Sequence, residues 1–165
     1  MSKRVSAAAG AAAIAGAAIA FAVTTPAQAD DRMICTGIST FKGTYVFDFE
    51  ERCRQLTGGE GLGDVWWHQI DGKRREMAQH AGGVGLAVIG KRSSAQWRAL
   101  TRADLAKLKF SDRPINASDG ANRLPDGTVF AVRTRSGHFA KVRVDSHKFD
   151  NNLRRDLRIS HVTFA

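Results

Sequence analysis

The sequence predicts an α+β fold, an antiparallel sheet with a C-terminal hairpin and one helical segment packed on it. Three observations lead there. Residues 44–49, Thr-Tyr-Val-Phe-Asp-Phe, place three aromatics at alternate positions, the period of a strand with one apolar face. Residues 128–144 hold two alternating runs separated by Arg135-Ser136-Gly137. Between these regions, residues 93–108 carry capping residues ahead of leucines at helical spacing.

The elements follow in chain order. After the strand at 44–49, the segment from Asp64 to Ile70 carries Trp66-Trp67. Adjacent strand residues point to opposite faces, so one tryptophan should enter the core and the other should lie near a surface. Val84 to Ile89 is a continuous apolar run between Gly83 and Gly90 and reads as a buried strand. Ser93 or Ser94 can cap a short helix through Leu100, and Thr101-Arg102-Ala103-Asp104 resembles a capping box with Asp in place of Glu. Leu100, Leu105, Leu108 and Trp97 then share a helical face, and Pro114 closes the region. A last strand spans Leu157 to Phe164, with imperfect alternation.

The hairpin register follows from its faces. A two-residue Ser136-Gly137 turn would pair Arg135 with His138 and put Val132 beside Lys141, mixing apolar and charged side chains. A three-residue loop with Gly137 in the left-handed conformation pairs Thr134 with His138, Val132 with Ala140 and Phe130 with Val142. One face is then Phe130, Val132, Ala140, Val142 and Val144. The other carries Arg133, Lys141 and Arg143 with Phe139, and a consistent apolar face selects this register.

The N-terminus reads as a cleaved secretory signal over residues 1–29. Lys3 and Arg4 precede a 17-residue apolar run from Ala7 to Val23, and Pro26 precedes Ala27-Gln28-Ala29, the cleavage site. The run is too short and too rich in Ala and Gly for a stable transmembrane span. What remains, residues 30–165, is 136 residues and reads as a single secreted domain, extracellular or associated with the cell envelope. Its 23 Lys and Arg against 16 Asp and Glu leave +7. That charge favours anionic partners such as a cell-wall polymer, nucleic acid or lipid head groups, and does not choose among them. Cys35 and Cys53 are the two cysteines; outside the cytoplasm they are expected to pair, and their spacing suits neither a redox pair nor a zinc site.

No catalytic or metal pattern is present in the chain: the five histidines lack zinc-type spacing, and there is no nucleophile elbow or phosphate loop. The sequence therefore implies no metal and no cofactor. Gly82-Gly83-Val84-Gly85 precedes a strand rather than a helix and reads as a turn. The segment from about Phe47 to Phe164 resembles a module of uncharacterised secreted bacterial proteins. The resemblance rests on Asp64-Val65-Trp66-Trp67, Leu105-Ala106-Lys107-Leu108, the run Gly127 to Thr134 and the closing Ile159 to Phe164. It implies export and a single domain, and carries no activity.

The leading expectation is a non-catalytic binding or envelope-associated module. Arg133, Arg135, His138, Phe139, Lys141 and Arg143 are its candidate ligand residues, a cationic strip with a ring available for stacking. An ordinary solvated face is the alternative for that strip. A second expectation is a small basic hydrolase such as a guanyl-type ribonuclease, with His138 as acid, Arg133 and Arg143 as phosphate clamps and Glu50 or Glu51 as base. A third is a protease inhibitor presenting a loop between Gly37 and Tyr45, braced by the disulfide.

Overall fold

The computed structural model describes residues 31–56, 63–149 and 155–165. The expected signal peptide lies outside them. The strands are β1 (Met33–Phe41), β2 (Val46–Asp48), β3 (Arg54–Leu56), β4 (Val65–Gln69), β5 (Arg75–Gln79), β6 (Gly85–Lys91), β7 (Ile115–Asn116), β8 (Thr128–Arg133), β9 (Phe139–Phe149) and β10 (Arg155–Phe164). Two helices, α1 (Ser94–Ala99) and α2 (Arg102–Ala106), connect β6 to β7. Among the described residues they build two five-stranded sheets, in the orders β1-β10-β9-β8-β6 and β3-β2-β4-β5-β7, and every strand pairing is antiparallel.

Apolar side chains from both sheets meet between them. Phe41, Phe130, Val132, Ala140, Val142, Leu157 and Ile159 come from the first sheet, and Phe47, Val65, Trp67, Met77 and Ile115 from the second. Phe47 sits between Phe41 and Phe49, each ring centroid 4.7 Å away. Trp67 is completely buried. Its neighbour Trp66 is half-buried on the other face and stacks on His68 at 4.0 Å, the division of labour that strand geometry dictates.

The antiparallel sheet is as expected, and three features of the predicted architecture require correction. Among the described residues there are two sheets instead of one, and two helices instead of one helical segment. The β8–β9 hairpin is internal, because β10 pairs with β9 and the N-terminal β1 pairs with β10. Short strands such as β3 and β7 carry too few residues to show a period, and β1 (Met-Ile-Cys-Thr-Gly-Ile-Ser-Thr-Phe) is an edge strand whose partner lies at the far end of the chain.

The outer face of the first sheet is not solvated. Ala87 on β6 lies opposite Ala131 on β8, and these two small side chains leave room for the fully buried Leu105 of α2. Leu108, Phe110, Phe139, Val162 and Phe164 complete this second apolar cluster. Both helices start with a reciprocal capping box, Ser93 with Gln96 and Thr101 with Asp104. Such caps matter in helices of six and five residues, where few amide donors have an intrahelical acceptor.

Cys35 and Cys53 form a disulfide with their Cα atoms 5.7 Å apart. It links β1 of the first sheet to the residue preceding β3 of the second. Closing a loop with a sequence separation of 18 stabilises the fold by about 3 kcal/mol in the chain-entropy treatment. A Cys35→Ser/Cys53→Ser protein should therefore lose about that much in urea unfolding, whereas the wild type should lose it only when a reductant is added.

Candidate functional site

The hairpin has the register its apolar face requires. Val132 pairs with Ala140 and Phe130 with Val142. The Thr134 amide donates to the His138 carbonyl at 2.9 Å, and Gly137 closes the loop at φ 86°. Arg133, Phe139, Lys141 and Arg143 do share the opposite face.

They do not form a continuous free strip, and the expectation of an exposed basic face is corrected at two positions. Lys141 is only 4% exposed. Its ammonium donates to the carbonyls of Arg98 at 2.8 Å and Leu100 at 2.6 Å, and lies 5.4 Å and 5.3 Å from the ring centroids of Trp97 and Phe164. It thereby caps the C-terminal end of α1, where carbonyls lack intrahelical donors and a cation is favoured. Burial lowers its pKa below the usual lysine value. Arg143 is half-buried and bonded to Asp145, which also accepts from Ser160 at 2.7 Å. Alternation in the sequence says which residues share a face; it does not say that a segment forty residues earlier folds over that face.

Of the remaining members Phe139 is enclosed in the second apolar cluster, while the two arginines and His138 reach solvent. Arg133 is exposed, with its guanidinium 5.6 Å from the Phe110 ring centroid. Phe139 packs against Phe110 at 5.8 Å and lies beneath Arg102 at 5.5 Å. Arg135 is exposed at the loop tip and His138 is partly so.

Glu50 reaches this tip from the other sheet. Its carboxylate accepts from the Thr134 and Ser136 hydroxyls, the latter at 3.0 Å, and Oε1 lies 3.0 Å from His138 Nδ1, off-line for a hydrogen bond. Glu51 is exposed and makes no such side-chain contact in the described set. Asp64 supports the arrangement from beneath: it is 4% exposed and accepts the Phe49 amide at 2.8 Å. Burial, with Glu50 and Asp48 adding repulsion, pushes its pKa up to about 6 against the Phe49 and Arg135 backbone hydrogen bonds. The carboxylates therefore clamp the hairpin loop to the second sheet.

The third expected site, a free loop from Gly37 to Tyr45, is corrected. Residues 37–41 are paired with β10 as part of β1, because Gly37 lies opposite His161 and Phe41 opposite Leu157.

Sequence reasoning missed two features. The first is a groove of about 420 Å³ beside β6, lined by Lys109, Arg113 and Arg123 over an apolar floor that includes Leu86, Val88, Leu108 and Ile115. The first two cations belong to a run that was visible: residues 91–113 hold seven Lys and Arg against two Asp, which is +5 of the chain's +9. All seven are exposed or half-exposed, since the leucines of this segment point inward. The second is His161, fully buried beside the disulfide, with Nδ1 3.7 Å from Cys35 Sγ and Nε2 3.3 Å from Ser39 Oγ. Phe47 and Phe49 meet its ring edge-on, and burial lowers its pKa to about 4. Gly37 opposite has no side chain, and a Cβ there would touch Nε2 at 3.4 Å.

No protein-family model, curated protein or solved structure matches the chain. Among the described residues no cluster of His, Cys, Asp and Glu is arranged to hold a metal ion, and no helix is long and apolar enough to cross a membrane.

Proposed function

We propose that this protein is a secreted, non-catalytic module that binds a phosphate-bearing anionic polymer through the cationic helical layer and the groove of Lys109, Arg113 and Arg123. The observation that carries the reading is the concentration of charge. Residues 91–113 supply more than half of the net positive charge and lie exposed over one face of the first sheet. Arg133 extends this surface from the hairpin, so part of the strip expected from sequence joins a larger basic face. Export is supported by the signal-like residues 1–29 and by a disulfide that an oxidising compartment preserves.

Contacts between cations and phosphates release counterions, so affinity falls linearly on a log–log plot against salt. Engagement of about four phosphates on a single strand gives a slope of about −3. Titration of the protein with polyphosphate and with single-stranded oligonucleotides over a range of salt tests the reading. Salt-independent binding, or none to either polymer, contradicts it.

The Glu50–His138 contact favours a second reading, a small secreted ribonuclease in which His138 acts as acid or base and Glu50 orients it. Its test is RNA cleavage that disappears in His138→Ala. Intact RNA after prolonged incubation with the wild type removes it.

A further inference from the structure

β1 is an outer strand of the first sheet, and among the described residues no strand pairs with its free edge. Edge strands of soluble proteins ordinarily carry a lysine, a proline or an inward charge that prevents further pairing. β1, Met-Ile-Cys-Thr-Gly-Ile-Ser-Thr-Phe, has none of these. Its middle is open: Thr36, Gly37, Ile38 and Thr40 are exposed, Ile38 to 64%.

The backbone direction at that edge follows from the pairing with β10. The Ala165 amide donates to the Arg32 carbonyl at 2.9 Å, so odd-numbered residues of β10 turn their backbone groups toward β1. Beyond the irregularity between Met33 and Cys35, their partners are Cys35, Gly37, Ser39 and Phe41. Thr36, Ile38 and Thr40 therefore direct their N–H and C=O groups away from the sheet. At either end the outward groups are engaged. The Ile34 carbonyl faces Cys53 Sγ at 3.9 Å, and the Lys42 amide donates to Gln55 Oε1 at 2.7 Å. Residues 36–40 form the open window between them.

That window reads almost alike in both directions, Thr-Gly-Ile-Ser-Thr. A strand that pairs antiparallel with its own copy meets itself in reverse, so a near-palindrome suits such pairing. We propose that two copies of this protein associate through β1, antiparallel and centred on Ile38. Thr36 of each copy then lies opposite Thr40 of the other, and Ile38 opposite Ile38, each pair exchanging two backbone hydrogen bonds. Like pairs of this kind are favourable cross-strand neighbours, and Gly37 opposite Ser39 adds no bulk. No charge enters the window, which matters for two chains that each carry a large positive excess. An unrelated peptide could use the same backbone groups, but the near-palindrome favours a second copy. The two-fold axis of an antiparallel pair stands perpendicular to the sheet, so both helical layers come to lie on the same side of one continuous sheet. The association itself needs no polymer and is independent of the reading of that face.

Sedimentation equilibrium of the purified protein at about 0.5 M salt, where charge is screened beyond about 4 Å, is the test. The contact is short, so half of the chains should be paired at about 0.1 mM, the weak end of protein association. Ile38→Lys should stay monomeric to about 1 mM with its unfolding midpoint unchanged, since it places a guarding charge on an exposed edge. Ile70→Lys, at an exposed isoleucine just after β4, should associate as the wild type does. Amide exchange at Thr36, Ile38 and Thr40 should slow several-fold as the protein is concentrated through that range. A wild type that stays monomeric at about 1 mM, an Ile38→Lys protein that associates like the wild type, an equal loss in Ile70→Lys, or slowing confined to other residues would each overturn the proposal.

Discussion

Asp64→Asn is expected to cost the protein about 2.5 kcal/mol relative to the wild type as pH falls from 6.5 to 4, and His161→Gln to gain about as much. The opposite signs follow from which state holds more protons. Burial raises Asp64 from 3.8 to about 6, so between these values the folded state binds the extra proton, and acid stabilises it. Burial lowers His161 from 6.5 to about 4, so in that window the unfolded state binds the extra proton, and acid destabilises the fold. In the wild type the two contributions nearly offset. Removing either one exposes the other, which chemical denaturation at several pH values reads directly. Parallel pH profiles for the two variants would show that neither group is held in the environment described.

Lys141→Ala is expected to destabilise the protein by about 3 kcal/mol, an effect far larger than an exposed lysine produces. The substitution leaves the Arg98 and Leu100 carbonyls without their donor and empties the space between Trp97 and Phe164. Lys141→Met should cost less, since its chain retains the packing and only the hydrogen bonds are lost. Amide exchange in residues 94–100 should rise in both variants, because the tie between α1 and β9 is broken. A change within about 0.5 kcal/mol for alanine would place Lys141 in solvent.

These two predictions mark where sequence reasoning stopped. The hairpin register was legible because one arrangement alone gathers Phe130, Val132, Ala140 and Val142 on a common face. The capping box at Thr101 and a serine cap at 93 or 94 were legible because a cap is a local event; the reciprocal Gln96 bond that selects Ser93 was not read. Burial of Lys141 was not, because it depends on a helix–sheet contact between segments more than forty residues apart, and lysine alternating with apolar residues usually signals solvent. His161 was equally hidden. Its environment comes from Gly37, Ser39 and Cys35 on β1 and from Phe47 and Phe49 on the other sheet. The imperfect alternation of β10 has a plain cause: Leu157, Ile159, His161 and Thr163 are buried in strict alternation, but two of these four inward residues are polar, while the extra residue of the bulge opposite Arg158 and Ile159 lies on β9.

The same separation explains the candidate site. Charge was countable in the sequence, and residues 91–113 stand out once counted. Their assembly with Arg123 into one groove was not, because Arg123 follows β7 and reaches that surface only after the chain has crossed to the second sheet and returned. Glu50 and His138 were named from chemistry alone. Their 3.0 Å approach joins opposite sheets, with Thr134 and Ser136 sharing the carboxylate.

The central claim, that the helical layer and its groove form the polymer-binding face, is tested most directly by comparing two triple variants of equal net charge. Lys107→Ser/Lys109→Ser/Arg113→Ser removes three exposed cations from that face, and Lys42→Ser/Lys73→Ser/Arg158→Ser removes three exposed cations elsewhere. With polyphosphate or a single-stranded oligonucleotide, the first variant should lose about two units of log–log salt slope and bind far more weakly. The second should keep the wild-type slope and affinity to within about twofold. Equal losses in the two variants would mean that net charge alone drives binding and would contradict the assignment of this face.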